Sequence, residues 1–161
     1  MSHKLVDIAK QYIGTKESGG DNKGSQIEEF QKAVDGKAQG EAWCMAFVQF
    51  CIEKVEEQTN ETSKSKIFKS EHCLTVWNKT PISQRLTVPE VGSLIVWQFG
   101  SSSNGHVGIV TNVRSTRVDT IEGNTGDGAG VVREGDGVYS RNRSRTGSSD
   151  MKVLGFLKVF E

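Results

Sequence analysis

The chain has 161 residues, enough for one ordinary domain around a single core. Its 20 basic residues balance its 20 acidic ones, so no net field draws it onto nucleic acid or an anionic bilayer, and nucleic acid is excluded as an expected partner. No stretch approaches the roughly 18 apolar residues of a membrane span, so none is predicted.

In chain order, Leu5, Ile8, Ala9, Tyr12 and Ile13 repeat at helical spacing and predict a helix over 4–13, stopped at Gly14. The opening "MSHKLVDIAKQYIG" lacks the apolar block of a secretory signal, which predicts synthesis in the cytoplasm and delivery elsewhere by another route. After the turn-rich "TKESGGDNKG", Ser25 is expected to cap a second helix over 26–34, with Glu28 completing a capping box. A polar loop, "DGKAQGEAW", leads into "CMAFVQFCIEKV", which is apolar on most sides and predicts a central, buried helix. "EEQTNETSKSK" reads as a surface connector, and a fourth helix is predicted over about 69–78, presenting Cys73, Leu74 and Trp77.

From residue 92 the pattern changes to a period of two or to short β-rich runs. "GSLIVWQF", "HVGIVTNV", "RVDTIEG", "GVVRE", "GVYS" and "VLGFLKVF" are predicted strands separated by Gly, Ser and Asn. "SRNRSRTGSSD" is expected to be a solvated loop, although in extended backbone Arg141, Arg143 and Arg145 would project to one side. Helices first and strands second predict an α+β fold, with N-terminal helices packed on a C-terminal antiparallel sheet of about five or six strands.

Three cysteines are an odd number for a disulfide framework, so reduced thiols are expected. Cys44 is distinguished by position. At the start of a helix, unpaired backbone N–H groups and the positive end of the dipole favour thiolate over thiol. A reacting thiolate also needs a proton carrier. Of three histidines, His3 lies near the terminus and His72 in a charged helical stretch, both expected at the surface. His106 opens an apolar strand after a glycine-rich loop, where a side chain can emerge toward a site.

Glu122 and Asn124 stand two apart on the next strand and share a face, so either side chain could accept the second imidazole N–H. The plainer alternative is a solvent-facing Glu122 followed by a turn. Cys51 and Cys73 read as core thiols, with a redox role for Cys73 left open. Trp43 and Trp97 read as cleft walls or as core, and Glu17 as a residue facing a groove. Asp35, Asp21 and Asn22 are too few oxygen donors for a hard cation, so neither metal nor cofactor is predicted.

"WCMAFVQFC", "VGSLIVWQFGSSSNGHVGIV", "IEGNTG" and "LGFLKVF" together resemble a CHAP domain, the cysteine- and histidine-dependent amidohydrolase/peptidase group of the papain-like fold. The similar segments run from 43 to 160, and "IGTKESGGDNKGSQIEEFQKAV" is similar to the lead-in of phage lysins. The resemblance implies a single catalytic domain over 1–161 and peptidoglycan as the partner of a monomeric enzyme. It implies Cys44 as nucleophile, His106 as general base and acid, Glu122 as the residue orienting His106, and Asn124 as a further polar member. It implies an endolysin-like hydrolase, either N-acetylmuramoyl-L-alanine amidase or peptide endopeptidase; a secreted antibacterial effector or a non-catalytic wall-peptide binder are the alternatives. One departure is "PEVGSL", where Ser93 replaces an acid that many relatives carry, and only a turn is expected to change.

Overall fold

The computed structural model describes residues 1–60, 62, 64–126 and 135–161. Leu5, Val6, Ile8 and Ala9 form the buried stripe of α1 (Ser2–Gln11). Ile13 lies beyond that helix and is largely exposed, so the stripe ends sooner than its spacing predicts. Helix α2 (Ser25–Asp35) is capped by Gly24 and not by Ser25, and no side chain closes its first turn. Gly24 sits at φ 126°, a backbone shape that favours glycine, so the chain enters the helix one residue early and the capping box does not form.

Helix α3 (Cys44–Gln58) is buried from Cys44 through Ile52, as its apolar circumference requires. It packs against α1 and α2 on one side and the sheet on the other. Helix α4 (Cys73–Lys79) is shorter than predicted, because the His72 ring accepts the Thr75 N–H and fixes the start there.

Strands β1 (Arg85–Leu86), β2 (Leu94–Phe99), β3 (Gly105–Val113), β4 (Arg117–Thr125), β5 (Gly137–Ser144) and β6 (Met151–Leu157) form one antiparallel sheet in the order β1-β6-β2-β3-β4-β5. The fold is therefore α+β, N-terminal helices on a C-terminal sheet, consistent with a papain-like hydrolase. The predicted "GVVRE" strand lies outside the described residues. Part of the expected "SRNRSRTGSSD" loop is instead strand, since β5 continues through Ser144. Ser93, the departure noted above, closes the turn before β2 by donating its hydroxyl to the Glu90 carbonyl at 2.6 Å.

Both faces of the sheet are buried, which explains the near-continuous apolar run of β2. Leu94, Val96, Val107, Ile109 and Ile121 share the main core with the helices. Ile95, Trp97, Phe99, Val110, Val118, Met151 and Phe156 make a second cluster on the other face. Three strands separate β5 from β6 in the sheet order, yet Arg143 of β5 reaches the Met151 sulfur at the head of β6 at 4.0 Å. The sheet thus curls around its second cluster. On the helical side, Gly123 lets α3 come close to β4: a Cβ there would stand 2.8 Å from Phe47 and 2.9 Å from Trp43. Among the described residues no helix is long and apolar enough to cross a membrane.

Candidate active site

The close approach of α3 to β4 carries Cys44, the first residue of α3, to the end of the sheet where β3 begins. There His106 and Cys44 face the same cleft, and His106 Nε2 lies 2.7 Å from Glu122 Oε1. With Nε2 taken by the carboxylate, Nδ1 is the ring nitrogen left for the sulfur. The β3–β4 register, Ile109 opposite Ile121, sets His106 and Glu122 near one another across the strands. A glycine at 108 leaves room for the acid, since a Cβ there would lie 2.9 Å from Glu122 Cγ.

Glu122 is fully buried and held by more than the histidine. Arg143 donates Nη2 to Oε1 at 2.6 Å and Nε to Oε2 at 2.9 Å, and the Thr120 hydroxyl donates to Oε2. Burial alone would push this carboxyl up, but the Arg143 and His106 hydrogen bonds outweigh it and bring the pKa down to about 2. Burial likewise opposes a charged His106, yet its bonds to Cys44 and Glu122 raise its pKa to about 9. Cys44 is moved well below the ordinary thiol range, first by a hydrogen bond from Cys73, against the opposing effect of burial, then by His106 and the Met45 backbone N–H. Both shifts run in the direction that favours a thiolate beside an imidazolium over the neutral pair.

An aromatic wall fixes the ring. Trp97, opposite His106 in the β2–β3 register, stacks on it with centroids 5.6 Å apart and planes inclined by 28°. The Arg143 guanidinium lies 5.3 Å from the Trp97 ring centre, and Phe99 flanks the imidazole at 6.2 Å. Trp97 is only 1% exposed and Trp43 is fully buried, stacked on Phe30 at 5.7 Å, so both belong to the core and neither walls a cleft. Glu17 accepts the Trp43 indole N–H at 2.9 Å, which ties the lead-in loop to the residue before Cys44.

A cleft of about 370 Å³ opens onto Cys44 and His106. Asn124, Cys73, His72, Asn104 and Phe99 line it, whereas Glu17, Trp43 and Trp97 do not. Asn124 adopts left-handed backbone at φ 53°, and its buried Oδ1 has no hydrogen-bond partner among the described residues. It faces the cleft and is not the partner of His106. His72 stands exposed at the rim as the cap of α4, and His3 lies in α1. Asp35 accepts the Lys37 N–H, Asn22 donates to the Gly40 carbonyl, and no group of three or more His, Cys, Asp or Glu converges as metal ligands among the described residues.

Sequence reasoning missed Arg143, Thr120 and the contact between Cys73 and Cys44. The arginine run over 141–145 held the signal, because its guanidinium groups pair with groups of the protein. Arg141 donates to the Thr125 hydroxyl and Arg145 to the Arg114 and Ser115 carbonyls, while Arg143 meets the buried acid.

A thiolate, a proton-bearing imidazole and a clamped carboxylate can together attack an acyl carbon and protonate a departing amine. The comparison with curated proteins returned no match. The comparison with protein families matched the CHAP domain over residues 36–124, more than half of the chain; the match holds Cys44, His106, Glu122 and Asn124 and stops before β5 and β6. The chain thus belongs to the CHAP domain family, a family of amidases and peptidases that act on peptidoglycan.

Proposed function

We propose that this protein is a peptidoglycan hydrolase that cleaves a wall amide through an acyl-enzyme, with Cys44 as nucleophile, His106 as proton carrier and Glu122 as the acid that orients and charges the ring. The observation that carries this reading is the convergence of Cys44 and His106 on one open cleft, with Glu122 bonded to the far side of the ring at 2.7 Å.

The Cys44 sulfur bonds to the carbonyl carbon, and the carbonyl electron pair moves to oxygen. Backbone N–H groups at the start of α3 face that developing charge; one such donor is worth about 3 kcal/mol of barrier. As the C–N bond breaks, His106 gives its Nδ1 proton to the leaving amine. The neutral ring then takes a proton from water, whose oxygen attacks the thioester, and Cys44 departs as thiolate. Through both steps Glu122 stays ionised, because Arg143 and Thr120 hold its other lone pairs. Asn124 offers its unpaired amide oxygen to a substrate N–H in the cleft.

Turbidity clearing of purified sacculi tests the activity. The wild-type protein should clear them and Cys44→Ala should not; a Cys44→Ala protein that clears the wall ends the assignment. Mass spectrometry of the released fragments then separates two bond choices. Free lactyl groups with new alanine amines mark an amidase, and new ends within the peptides mark an endopeptidase. An endolysin-like role, in which the enzyme reaches the wall once released from the cytoplasm, fits either bond.

A further inference from the structure

Cys73 has no step in the hydrolysis above, yet its sulfur lies 3.5 Å from that of Cys44. The two residues begin α3 and α4, so two separate helix starts are folded onto one point of the cleft. No side chain stands between them. A disulfide needs sulfurs about 2.05 Å apart, and side-chain rotation at two neighbouring cysteines can close a gap of this size. The third thiol stands apart from this pair. Cys51 is wholly buried, does not line the cleft, and has its pKa raised by burial.

We propose that Cys44 and Cys73 form a reversible oxidation site for small hydroperoxides, with Cys73 as the resolving thiol. The inference goes beyond wall hydrolysis and stands on the two sulfurs whether or not the cleft cuts peptidoglycan. A hydroperoxide is small enough to enter a cleft of about 370 Å³ that both cysteines line. Thiolates, not thiols, attack peroxide oxygen, so Cys44 reacts first.

The Cys44 thiolate bonds to one peroxide oxygen, the O–O bond breaks, and hydroxide (or alkoxide) leaves with the electron pair, giving a sulfenic acid. Cys73 then loses its proton and attacks the Cys44 sulfur; the S–O bond breaks and hydroxide leaves, which the released proton converts to water. Two electrons pass from the two thiols to one peroxide. In the resting state the hydrogen bond to the Cys44 thiolate holds the Cys73 proton in place and raises its pKa. Conversion of Cys44 to an uncharged sulfenic acid removes that restraint, so the resolving thiol is released by the event it must answer. The disulfide masks the nucleophile and shields it from irreversible oxidation, and a dithiol restores both sulfurs by exchange.

The test treats the reduced wild-type protein with hydrogen peroxide, then counts and maps thiols after alkylation in denaturant. The expected result is a fall from three alkylatable cysteines to one, Cys51, with a peptide joining Cys44 to Cys73 and full reversal by dithiothreitol. Stable gain of two or three oxygens on Cys44 with no such peptide, or a bridge that involves Cys51, would overturn the proposal. Cys73→Ser should leave the Cys44 sulfenic acid unresolved, so that further peroxide carries it to the sulfinic acid, a gain of two oxygens that dithiothreitol cannot reverse, and wall clearing does not return. Recovery equal to wild type in that variant would also overturn it. Thiol mapping of the wild-type chain needs neither a variant nor hydrolytic activity, which separates failure of this proposal from failure of the hydrolase reading.

Discussion

Glu122 joins most of the site's chemistry in one side chain, since it holds His106 on one oxygen and is held by Arg143 on both. Arg143 acts through Glu122 and is a positioning residue. Arg143→Met should cost about 3–5 kcal/mol of stability, the usual loss when one partner of a buried ion pair is removed. Denaturant unfolding measures it, and a loss below about 1 kcal/mol contradicts the clamp. The sign with pH follows from the carboxyl. Glu122 goes from 4.5 to about 2 on folding, so its contribution is present above 4.5 and lost as pH falls through 2. Without Arg143 the loss should begin at higher pH. His106 runs the other way, from 6.5 to about 9, so its contribution is full below 6.5 and disappears as pH rises through about 9. Hydrolysis should therefore decline above about pH 9, where the imidazolium can no longer protonate the amine, while alkylation of Cys44 stays fast. A hydrolysis rate that keeps rising through that pH removes His106 as the acid.

At the scale of elements, the site depends on how closely α3 lies on β4. Gly123→Ala places a methyl group within 3 Å of Phe47 and Trp43 and should push the start of α3 off the sheet. Overpacking of this kind costs about 1–3 kcal/mol. The prediction is a kcat loss larger than the stability loss explains, read by comparing wall clearing with thermal unfolding; unchanged kcat would show that the site tolerates the shift. The elements themselves were legible because their signals are local. A 3.6-residue apolar period marks α1, an almost wholly apolar circumference marks α3, and short apolar runs rich in β-branched residues mark β2 to β4. What escaped was set by geometry that spacing does not contain. Gly24 starts α2 through its backbone shape, His72 starts α4 through a ring nitrogen, and β5 extends through an arginine run whose charges read as solvent-seeking. Trp43 stayed ambiguous for a related reason: being next to Cys44 in sequence does not say which way an indole turns.

The whole molecule draws its site from both halves of the chain. Cys44 comes from the helices, His106 and Glu122 from adjacent strands, and Arg143 from β5, outside residues 36–124 that match the CHAP family. Pairing of β5 with β4 brings that last residue in, and spacing along the chain does not show it, which is why Cys44 and His106 could be picked from sequence while the clamp behind them could not. Their pairing as thiolate and imidazolium is the central claim, and the rate of Cys44 alkylation as a function of pH tests it most directly. The wild-type protein should alkylate at Cys44 with an apparent pKa well below the ordinary thiol value of about 8.5, and His106→Ala should move it upward. A wild-type profile centred near about 8.5 and unchanged by His106→Ala would contradict the account.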